Sequence, residues 1–403
     1  MNSRNNNAAC MKTESRSRDP NTGPIMDAYI DRVTLINYVT RVHFGFGSIR
    51  ELPNELVRLN FNRPLVVTDN GLFASGVSEL VTGMVPGGVV FTDTPSNPTE
   101  QSAKAAAELY VANQCDGIVA IGGGSPMDLA KAAALLVTHD GPLTPYALAH
   151  GGLDRITANV PSIIAVPTTA GTGSEVARAT VIITDSGSKL PIASPHLIPK
   201  AAICDPELTM NLPPQLTAAT GFDALSHCVE SFCSSIVNPP AEAIALDGMI
   251  RVVRFVERAV KDGSDREARW QMLMASLQGG LTFQKGLGAI HALSHPLGEL
   301  GVHHGTLNAI LLPHVLEFNR VQVGGKVEVI SRALGLKDAS RLPGFFRELA
   351  RRTRLPLTLS EVGVTESSIP QIAMKAEKDS CNATNPPPLT ASEYEVIMRR
   401  ALN

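Results

Sequence analysis

The stretch VAIGGGSPMDLAK at residues 119–131 decides the fold, because it joins a buried β-branched run to a helical pattern through three consecutive glycines. The run before Gly122 has the composition of a strand that is covered on both faces. Ser125 offers a capping hydroxyl, and Pro126 suits the first turn of a helix. The stretch therefore predicts a strand, a tight turn and a helix. The free N–H groups at such a helix start favour a bound phosphate, and a plain turn without a ligand is the alternative.

Short apolar runs alternate with helical patterns on both sides of this turn. The runs are mostly β-branched and are bounded by Gly, Pro or Asp, at 64–68, 88–91, 117–121, 162–166, 181–184 and 201–204. The helical patterns between them include Thr99–Leu109, which opens with a hydroxyl cap and an early Glu, and Asp128–Leu136. We therefore predict a parallel sheet covered by helices, an α/β domain over residues 26–207.

The pattern changes after Pro213 and Pro214. Only helical periodicity follows, at 241–260, 266–278, 306–318, 327–334, 344–349 and 392–402. We therefore predict an all-helical (all-α) domain over residues 208–403, and the cleft between the two domains is the default ligand site. Residues 1–25 are polar and lack an apolar segment, so we predict a disordered leader there and no secretory signal.

Charge and composition exclude several kinds of partner. The chain of 403 residues carries 35 Lys and Arg against 38 Asp and Glu, a formal net charge of −3. This balance gives no broad field that would attract nucleic acid or an anionic membrane. No window of about 20 residues is apolar enough to span a bilayer. Six cysteines without a Cys-x-x-Cys pair favour reduced thiols and a cytoplasmic location.

Two further polar segments follow predicted strands. Asp69 closes the run LVVTD at 65–69, where an acid suits the hydroxyl pair of a ribose and favours NAD over NADP; a helix cap is the alternative. The loop PTTAGTGSE at 167–175 offers four hydroxyls and two glycines, either to wrap a pyrophosphate or to cap a helix. A complete Gly-x-Gly-x-x-Gly fingerprint is absent, so a standard Rossmann first turn is not predicted.

Histidines and one aspartate form the second chemical signal. Six of the ten histidines fall between residues 227 and 314. Asp223 and His227 are four residues apart, as are His291 and His295, so each pair shares one face of a helix. One carboxylate with two or three imidazoles suits Fe²⁺ or Zn²⁺ with an open position for an oxygen ligand. Any single histidine has a core or capping role as its alternative. A metal beside a dinucleotide indicates polarisation of an alcohol oxygen during hydride transfer.

The chain resembles the iron-containing (group III) alcohol dehydrogenase family in six motifs that occur in order. These motifs are GGGSPMDLAK at 122–131, PTTAGTGSEV at 167–176, DPELT at 205–209, DALSHCVE at 223–230, the segment from GAIH at 288–291 to His304-Gly305, and NAILLPH at 308–314. The resemblance implies a dinucleotide-binding α/β domain and a helical metal domain, assembled as a homodimer or a larger homo-oligomer.

The resemblance also implies roles for individual residues. It assigns the metal to Asp223, His227, His291 and His304, and it places the catalytic His295 beside the nicotinamide and the substrate, where it helps to relay a proton. It assigns the cofactor to the pyrophosphate turn (Gly122, Gly123, Gly124, Ser125), the threonines of the second loop (Thr168, Thr169, Thr172), the ribose acid Asp69, and Asp128 and Lys189.

Two departures from the family pattern affect the site. The segment from His295 to His304 is one residue shorter than is usual in the family, and His303 adjoins His304; Gly305 favours His304 as the ligand. The pocket aromatic that the family usually has before the His291 helix is replaced, and this segment carries Thr282-Phe283 and Lys285 instead. We expect Lys285 either to meet an anionic substrate, such as a hydroxy acid or a sulfonate, or to be a solvated surface lysine.

We therefore predict an alcohol dehydrogenase that depends on NAD and on a divalent metal, Fe²⁺ or Zn²⁺. It would interconvert a small alcohol, including a hydroxy acid, with its aldehyde or ketone. A reductase of the maleylacetate type and a lyase of the dehydroquinate synthase type are alternative enzymes. A non-catalytic NAD-binding or assembly protein is the alternative from another class.

Overall fold

A computed structural model describes residues 40–403, so the predicted leader at 1–25 and the start of the first predicted domain lie outside the described residues. Most strands of this part fall where apolar β-branched runs occur in the sequence. The strands are β1 Arg41–Phe44, β2 Leu65–Val67, β3 Val89–Phe91, β4 Ile118–Gly122, β5 Ile163–Pro167, β6 Ala179–Ile183, β7 Lys189–Ala193 and β8 Ala201–Cys204.

Six strands form one parallel sheet in the order β1-β8-β5-β4-β2-β3. Every residue of β4 and of β5 is buried, as expected for central strands with helices on both faces. Five of the six predicted runs lie in this sheet, which confirms the predicted α/β class.

The run at 181–184 is the exception. It lies in β6, which pairs antiparallel with β7 in a separate hairpin. Buried and half-buried residues alternate along β6, so only one of its faces is well covered. The short connection at 184–188 allows a hairpin but no crossover to a parallel neighbour. The placement of this run in the parallel sheet was therefore wrong.

The helices account for most of the remaining chain. They are α1 Leu52–Arg58, α2 Asn70–Ala74, α3 Val77–Thr82, α4 Glu100–Ala112, α5 Gly124–Thr138, α6 Pro214–Cys233, α7 Pro239–Lys261, α8 Arg266–Thr282, α9 Ala289–Gly298, α10 His304–Asn319, α11 Lys326–Ala333, α12 Leu342–Arg352, α13 Ile369–Glu377 and α14 Ala391–Leu402. From α6 onward no described residue lies in a strand, which confirms the predicted helical half. The boundary at residue 207 itself stays a prediction.

The strand order creates a crevice at the carboxyl ends of β2 and β4. The chain leaves β2 toward β3 on one side and leaves β4 toward β5 on the other. Where neighbouring strands send their connections in opposite directions, the carboxyl ends of the strands border a ligand crevice. Asp69 follows β2, the glycine turn follows β4, and the loop at 167–175, here called the threonine loop, follows β5.

Glycines let the threonine loop pack directly on the helical half. A Cβ on Gly173 would lie 2.5 Å from Cα of Gly280 in α8, and a Cβ on Gly171 would lie 2.6 Å from Cβ of Thr220 in α6. Only residues without a side chain permit this approach. The loop therefore borders both the sheet crevice and the helices that carry the histidines. In the described part of the chain, no helix combines the length and apolar character needed to cross a bilayer.

Candidate metal and dinucleotide centre

Neighbouring side chains pack so closely on the glycine turn that little room is left for a Cβ on any of its three glycines. Gly122 has φ +146°, and a Cβ there would lie 2.6 Å from Cγ of Pro126. A Cβ on Gly123 or Gly124 would lie 3.2 Å and 2.8 Å from the methyl groups of Thr169 and Thr172, respectively. No side chain caps the first turn of α5. The turn thus presents bare backbone N–H groups at a helix start, which suits an anion.

Two predicted cofactor residues already have partners in the protein. Asp69 caps α2, because its Oδ1 accepts a hydrogen bond from the N–H of Leu72 at 2.8 Å. The Ser125 hydroxyl donates to the carbonyl of Ser96 at 2.7 Å. Oδ1 of Asp69 is therefore the helix cap that the alternative interpretation predicted. Contact of Asp69 with a ribose stays a prediction.

Asp128 forms hydrogen bonds that hold the threonine loop and the adjacent strand β6 in place. Its Oδ1 accepts from the Ser174 hydroxyl at 2.8 Å, and its Oδ2 accepts from the N–H of Val181 at 2.9 Å. Burial raises the pKa of Asp128, although the nearby Lys131 opposes that shift. Both carboxylate oxygens therefore hold protein groups in place, and direct contact of Asp128 with the cofactor stays a prediction. The Thr168 N–H joins the loop to the glycine turn through the Gly122 carbonyl at 2.9 Å.

Lys189 begins β7 and reaches toward the helical half. Its Nζ donates to Oδ1 of Asn97 at 2.9 Å and would lie 3.4 Å from a Cβ on Gly298, the last residue of α9. Burial lowers the pKa of Lys189. This position keeps the amine close to the helix that carries two of the histidines, and contact of Lys189 with the cofactor stays a prediction.

The predicted metal ligands converge from three helices. Asp223 and His227 lie on α6, His291 lies on α9, and His304 begins α10. Oδ1 of Asp223 lies 3.4 Å from Nε2 of His227, 3.8 Å from Nε2 of His291 and 3.6 Å from Nε2 of His304. Asp223, His227 and His291 also offer ligand atoms that all lie within 4.8 Å of one another.

These separations fit a cation better than a set of hydrogen bonds. They exceed most N–H···O distances, whereas ligand bonds of about 2.1 Å in a tetrahedral site give edges of roughly 3.4 Å. The residues therefore fit a divalent iron or zinc ion.

The charges of the cluster favour the same ion. Although burial opposes ionisation, His227, His291 and His304 hold the pKa of Asp223 far below its usual range. Burial lowers the pKa of His227 to about 4 and that of His304 well below its usual value. In contrast, although burial opposes the shift, Glu230 and Asp223 raise the pKa of His291 to about 9. The carboxylate and the two neutral imidazoles are ready to bind a metal, whereas His291 would release a proton as the metal binds.

Glu230 is a functional residue to which the sequence analysis assigned no role. It accepts a hydrogen bond from Nδ1 of His291, and its Oε1 accepts from the N–H of Ile290 at 2.6 Å. The carboxylate thereby fixes the ring of His291 with Nε2 toward Asp223, as outer carboxylates do for metal-bound histidines. Its position seven residues after Asp223, two turns along one helix face, is the signal that could have identified it.

The adjacent His303 and His304 differ in placement. His303 is an exposed residue at the N-cap of α10, whereas the side chain of His304 is 28% exposed and reaches Asp223. The geometry therefore favours His304 as the fourth ligand.

His295 lies one turn beyond His291 on α9. Its Nδ1 lies 2.8 Å from Oδ2 of Asp379, and its ring stacks on that of His304 with centroids 5.7 Å apart and an angle of 12°. The predicted catalytic histidine is thus adjacent to the predicted metal ligands.

Neither expectation for Lys285 matches the structure. The side chain is fully buried, its Nζ donates to the carbonyl of Ser234 at 2.9 Å, and it pairs with Oε1 of Glu242 at 3.0 Å. The carbonyls that end α6 and an acid from α7 satisfy this ammonium, as burial of a charge requires. Lys285 is neither a surface lysine nor available to an anionic substrate.

Two family models match nearly all of the described chain. A model of iron-containing alcohol dehydrogenase matches residues 39–206, and a C-terminal model of the Fe-containing alcohol dehydrogenase family matches residues 217–402.

Individual relatives match most of this chain over almost their whole length. A 4-hydroxybutyrate dehydrogenase from Cupriavidus necator is 46% identical over 382 residues, 92% of this chain and 100% of the relative. The crystal structure of a 1,3-propanediol oxidoreductase has a TM-score of 0.87 at 33% identity, covering 92% of this chain and 100% of that one. A sulfoacetaldehyde reductase from Bifidobacterium kashiwanohense in complex with NAD⁺ has a TM-score of 0.83 at 30% identity, covering 92% and 99%.

Proposed function

We propose that this chain, which belongs to the iron-containing alcohol dehydrogenase family, oxidises a short ω-hydroxy acid to its semialdehyde. The chain is an oxidoreductase that acts on CH–OH groups, and its family uses NAD and iron, as predicted from the sequence. The choice of a hydroxy acid rests on the 46% identity to 4-hydroxybutyrate dehydrogenase over the whole length of that relative.

The observation that carries the proposal is the single oxygen of Asp223 surrounded by three imidazole nitrogens at 3.4–3.8 Å. We propose that Asp223, His227, His291 and His304 hold the divalent metal. A bound metal and NAD would supply Lewis-acid polarisation of the alcohol oxygen and a hydride acceptor. The backbone N–H groups of the glycine turn would bind the pyrophosphate, and the threonine loop would fix the cofactor against the helices.

His295 handles the proton in this proposal. With Nδ1–H donated to Asp379, its Nε2 is the acceptor for the proton released as the alcohol becomes a carbonyl. Lys189, Asp69 and the three predicted threonines are proposed contacts of the cofactor.

Reconstitution with defined metals tests the proposal. The chelated protein, loaded with Fe²⁺ or Zn²⁺, would be given 4-hydroxybutyrate or the neutral 1,4-butanediol of equal chain length, and NADH formation would be followed by absorbance. We expect kcat/KM for the acid to exceed that for the diol by at least about tenfold, roughly 1.4 kcal/mol. Equal values would contradict the hydroxy-acid assignment while leaving the dehydrogenase intact. Turnover of a phosphorylated substrate without net NADH would instead favour the lyase alternative, and reduction of maleylacetate alone would favour that reductase.

We also propose that the enzyme works in the cytoplasm as a homodimer or a larger homo-oligomer. The five described cysteines are free thiols, which supports a reducing compartment. Light scattering during size-exclusion chromatography tests the assembly, and a monomer at working concentration would contradict it.

A further inference from the structure

His295 and Asp379 form a buried pair at the C-terminal part of α9. Their side chains are 8% and 9% exposed, and Nδ1 of His295 lies 2.8 Å from Oδ2 of Asp379. Asp379 is itself fixed, because its Oδ1 accepts the N–H of Cys381 at 2.8 Å and caps the 3₁₀ helix Ser380–Thr384. One carboxylate oxygen thus holds the backbone, and the other meets the imidazole.

The pair has the geometry of a hydrogen bond and not of a second metal site. The Cys381 thiol lies within 4.8 Å of both partners, so the three groups resemble a ligand set. However, 2.8 Å is a hydrogen-bond length and is shorter than the roughly 3.4 Å edge of a tetrahedral site. Burial also raises the pKa of the Cys381 thiol well above its usual value, which disfavours the thiolate that a metal ligand requires.

The acid determines which nitrogen of His295 carries hydrogen. Although burial opposes ionisation, His295 and the Cys381 N–H lower the pKa of Asp379, so its carboxylate only accepts hydrogen bonds. Nδ1 of His295 must then be the donor, so in the neutral ring it is Nε2, on the opposite side, that carries the lone pair. No described residue forms a hydrogen bond with Nε2. The ring is further held by its stacking on His304.

We propose that Asp379 is a positioning residue that holds His295 in the Nδ1–H tautomer and orientation, with Nε2 free to act on the substrate. This inference rests on the proposed function, because it concerns the histidine to which that function assigns the proton. Asp379 touches no reacting atom and acts only through His295.

Asp379→Asn is the direct test. Asn is as good a cap as Asp, so the 3₁₀ helix is retained, but its amide N–H₂ would then face Nδ1 and favour the other tautomer. In the metal-loaded enzyme we expect kcat to fall by about 10–100-fold, as for other residues that orient a functional imidazole. The KM for the alcohol, the metal content and NADH affinity should stay near those of the unmodified enzyme. Asp379→Ser, which can cap but cannot reach the ring, should lose activity in the same way and provides a second variant if Asn disturbs folding.

A double-mutant cycle with His295→Ala separates positioning from packing. Residues that act through one contact give non-additive losses, so Asp379→Asn should cost nothing further in the His295→Ala background. Glu299→Gln is the matched control, because it breaks the surface ion pair of Glu299 with Lys375, which joins α9 to α13 without touching His295. This control should leave kcat unchanged.

The outcomes distinguish the inference from the proposed function. Full kcat in both Asp379 variants, or additive losses in the double variant, would overturn the positioning role while the role of His295 stands. Full kcat in His295→Ala would overturn both. An equal loss in Glu299→Gln would assign the effect to helix packing and would likewise overturn the inference.

Discussion

His291 and His295 are the same residue type one turn apart on α9, and each directs Nδ1 at a buried carboxylate, Glu230 or Asp379. Their Nε2 atoms face different surroundings. Nε2 of His291 faces the oxygen of Asp223 at 3.8 Å, whereas no described residue forms a hydrogen bond with that of His295. Residue type and helical spacing therefore predict that both histidines are functional. In the proposed function, the group opposite Nε2 distinguishes His291, the metal ligand, from His295, which acts on the substrate.

Loss of a metal ligand is the largest effect expected from this comparison. His227→Ala removes one of the three imidazoles around Asp223, and the lost charge stabilisation should lower kcat by on the order of 10³-fold. Elemental analysis should find little metal, while NADH still binds, because the glycine turn is untouched. His303→Ala is the matched control, since this exposed neighbour of His304 should keep both metal and activity. Full turnover of His227→Ala without metal would exclude the metal-centred mechanism.

The outer carboxylates provide the second test of the comparison. Glu230→Gln should weaken metal affinity by about 10–100-fold, because the amide no longer fixes His291 as the carboxylate does. Competition with a coloured chelator measures this loss. Asp379→Asn should leave metal affinity unchanged in the same titration. If both variants lost metal equally, Glu230 and Asp379 would have the same role, and the distinction between His291 and His295 would be wrong.

Glu175 is a buried carboxylate without an imidazole partner, and its pKa affects how stability depends on pH. Its Oε1 has no hydrogen-bond partner, and burial raises the pKa of Glu175 to about 7, with Lys131 opposing the shift. Between pH 4.5 and 7 the native state thus holds a proton that the unfolded chain releases, so this residue makes stability fall as pH rises.

Glu175→Gln should therefore flatten that part of the pH profile, by up to about 3 kcal/mol across the window, because each pKa unit corresponds to about 1.4 kcal/mol. Chemical denaturation of the metal-free protein at several pH values measures the slope. Exposed Glu108→Gln is the control and should reproduce the wild-type slope. Identical slopes in all three proteins would show that Glu175 is ionised throughout.

The sequence predicted local elements better than their partners. Gly122 and the run before it identify a strand and a turn, because φ above zero and burial on both faces constrain residue type. The pairing of β6 with β7 was missed, since the sequence does not specify which strand lies beside a given run. Asp223 and His227 share a helix and were found by their spacing, whereas Asp379 is 84 residues from His295 and meets it only through tertiary packing.

Lys285 illustrates the same limit and yields the smallest expected effect on activity. Lys285 is close to the histidines in the sequence. In the structure, however, its amine faces the carbonyls that end α6 and the carboxylate of Glu242. Lys285→Met should lower the free energy of unfolding by about 3 kcal/mol, because it removes one partner of a buried ion pair. It should leave the ratio of kcat/KM for 4-hydroxybutyrate over 1,4-butanediol unchanged, because no substrate reaches this amine.

The contrast with Lys189 makes this result informative. Lys189 reaches the end of α9 with its amine bonded to Asn97, and we propose that it contacts the cofactor, so Lys189→Met should weaken NADH binding with little loss of stability. Fluorescence titration with NADH and denaturation of both variants separate the two lysines. A changed acid-to-diol ratio in Lys285→Met would mean that this amine leaves its carbonyl partners when substrate binds, and that burial here does not exclude a role in specificity.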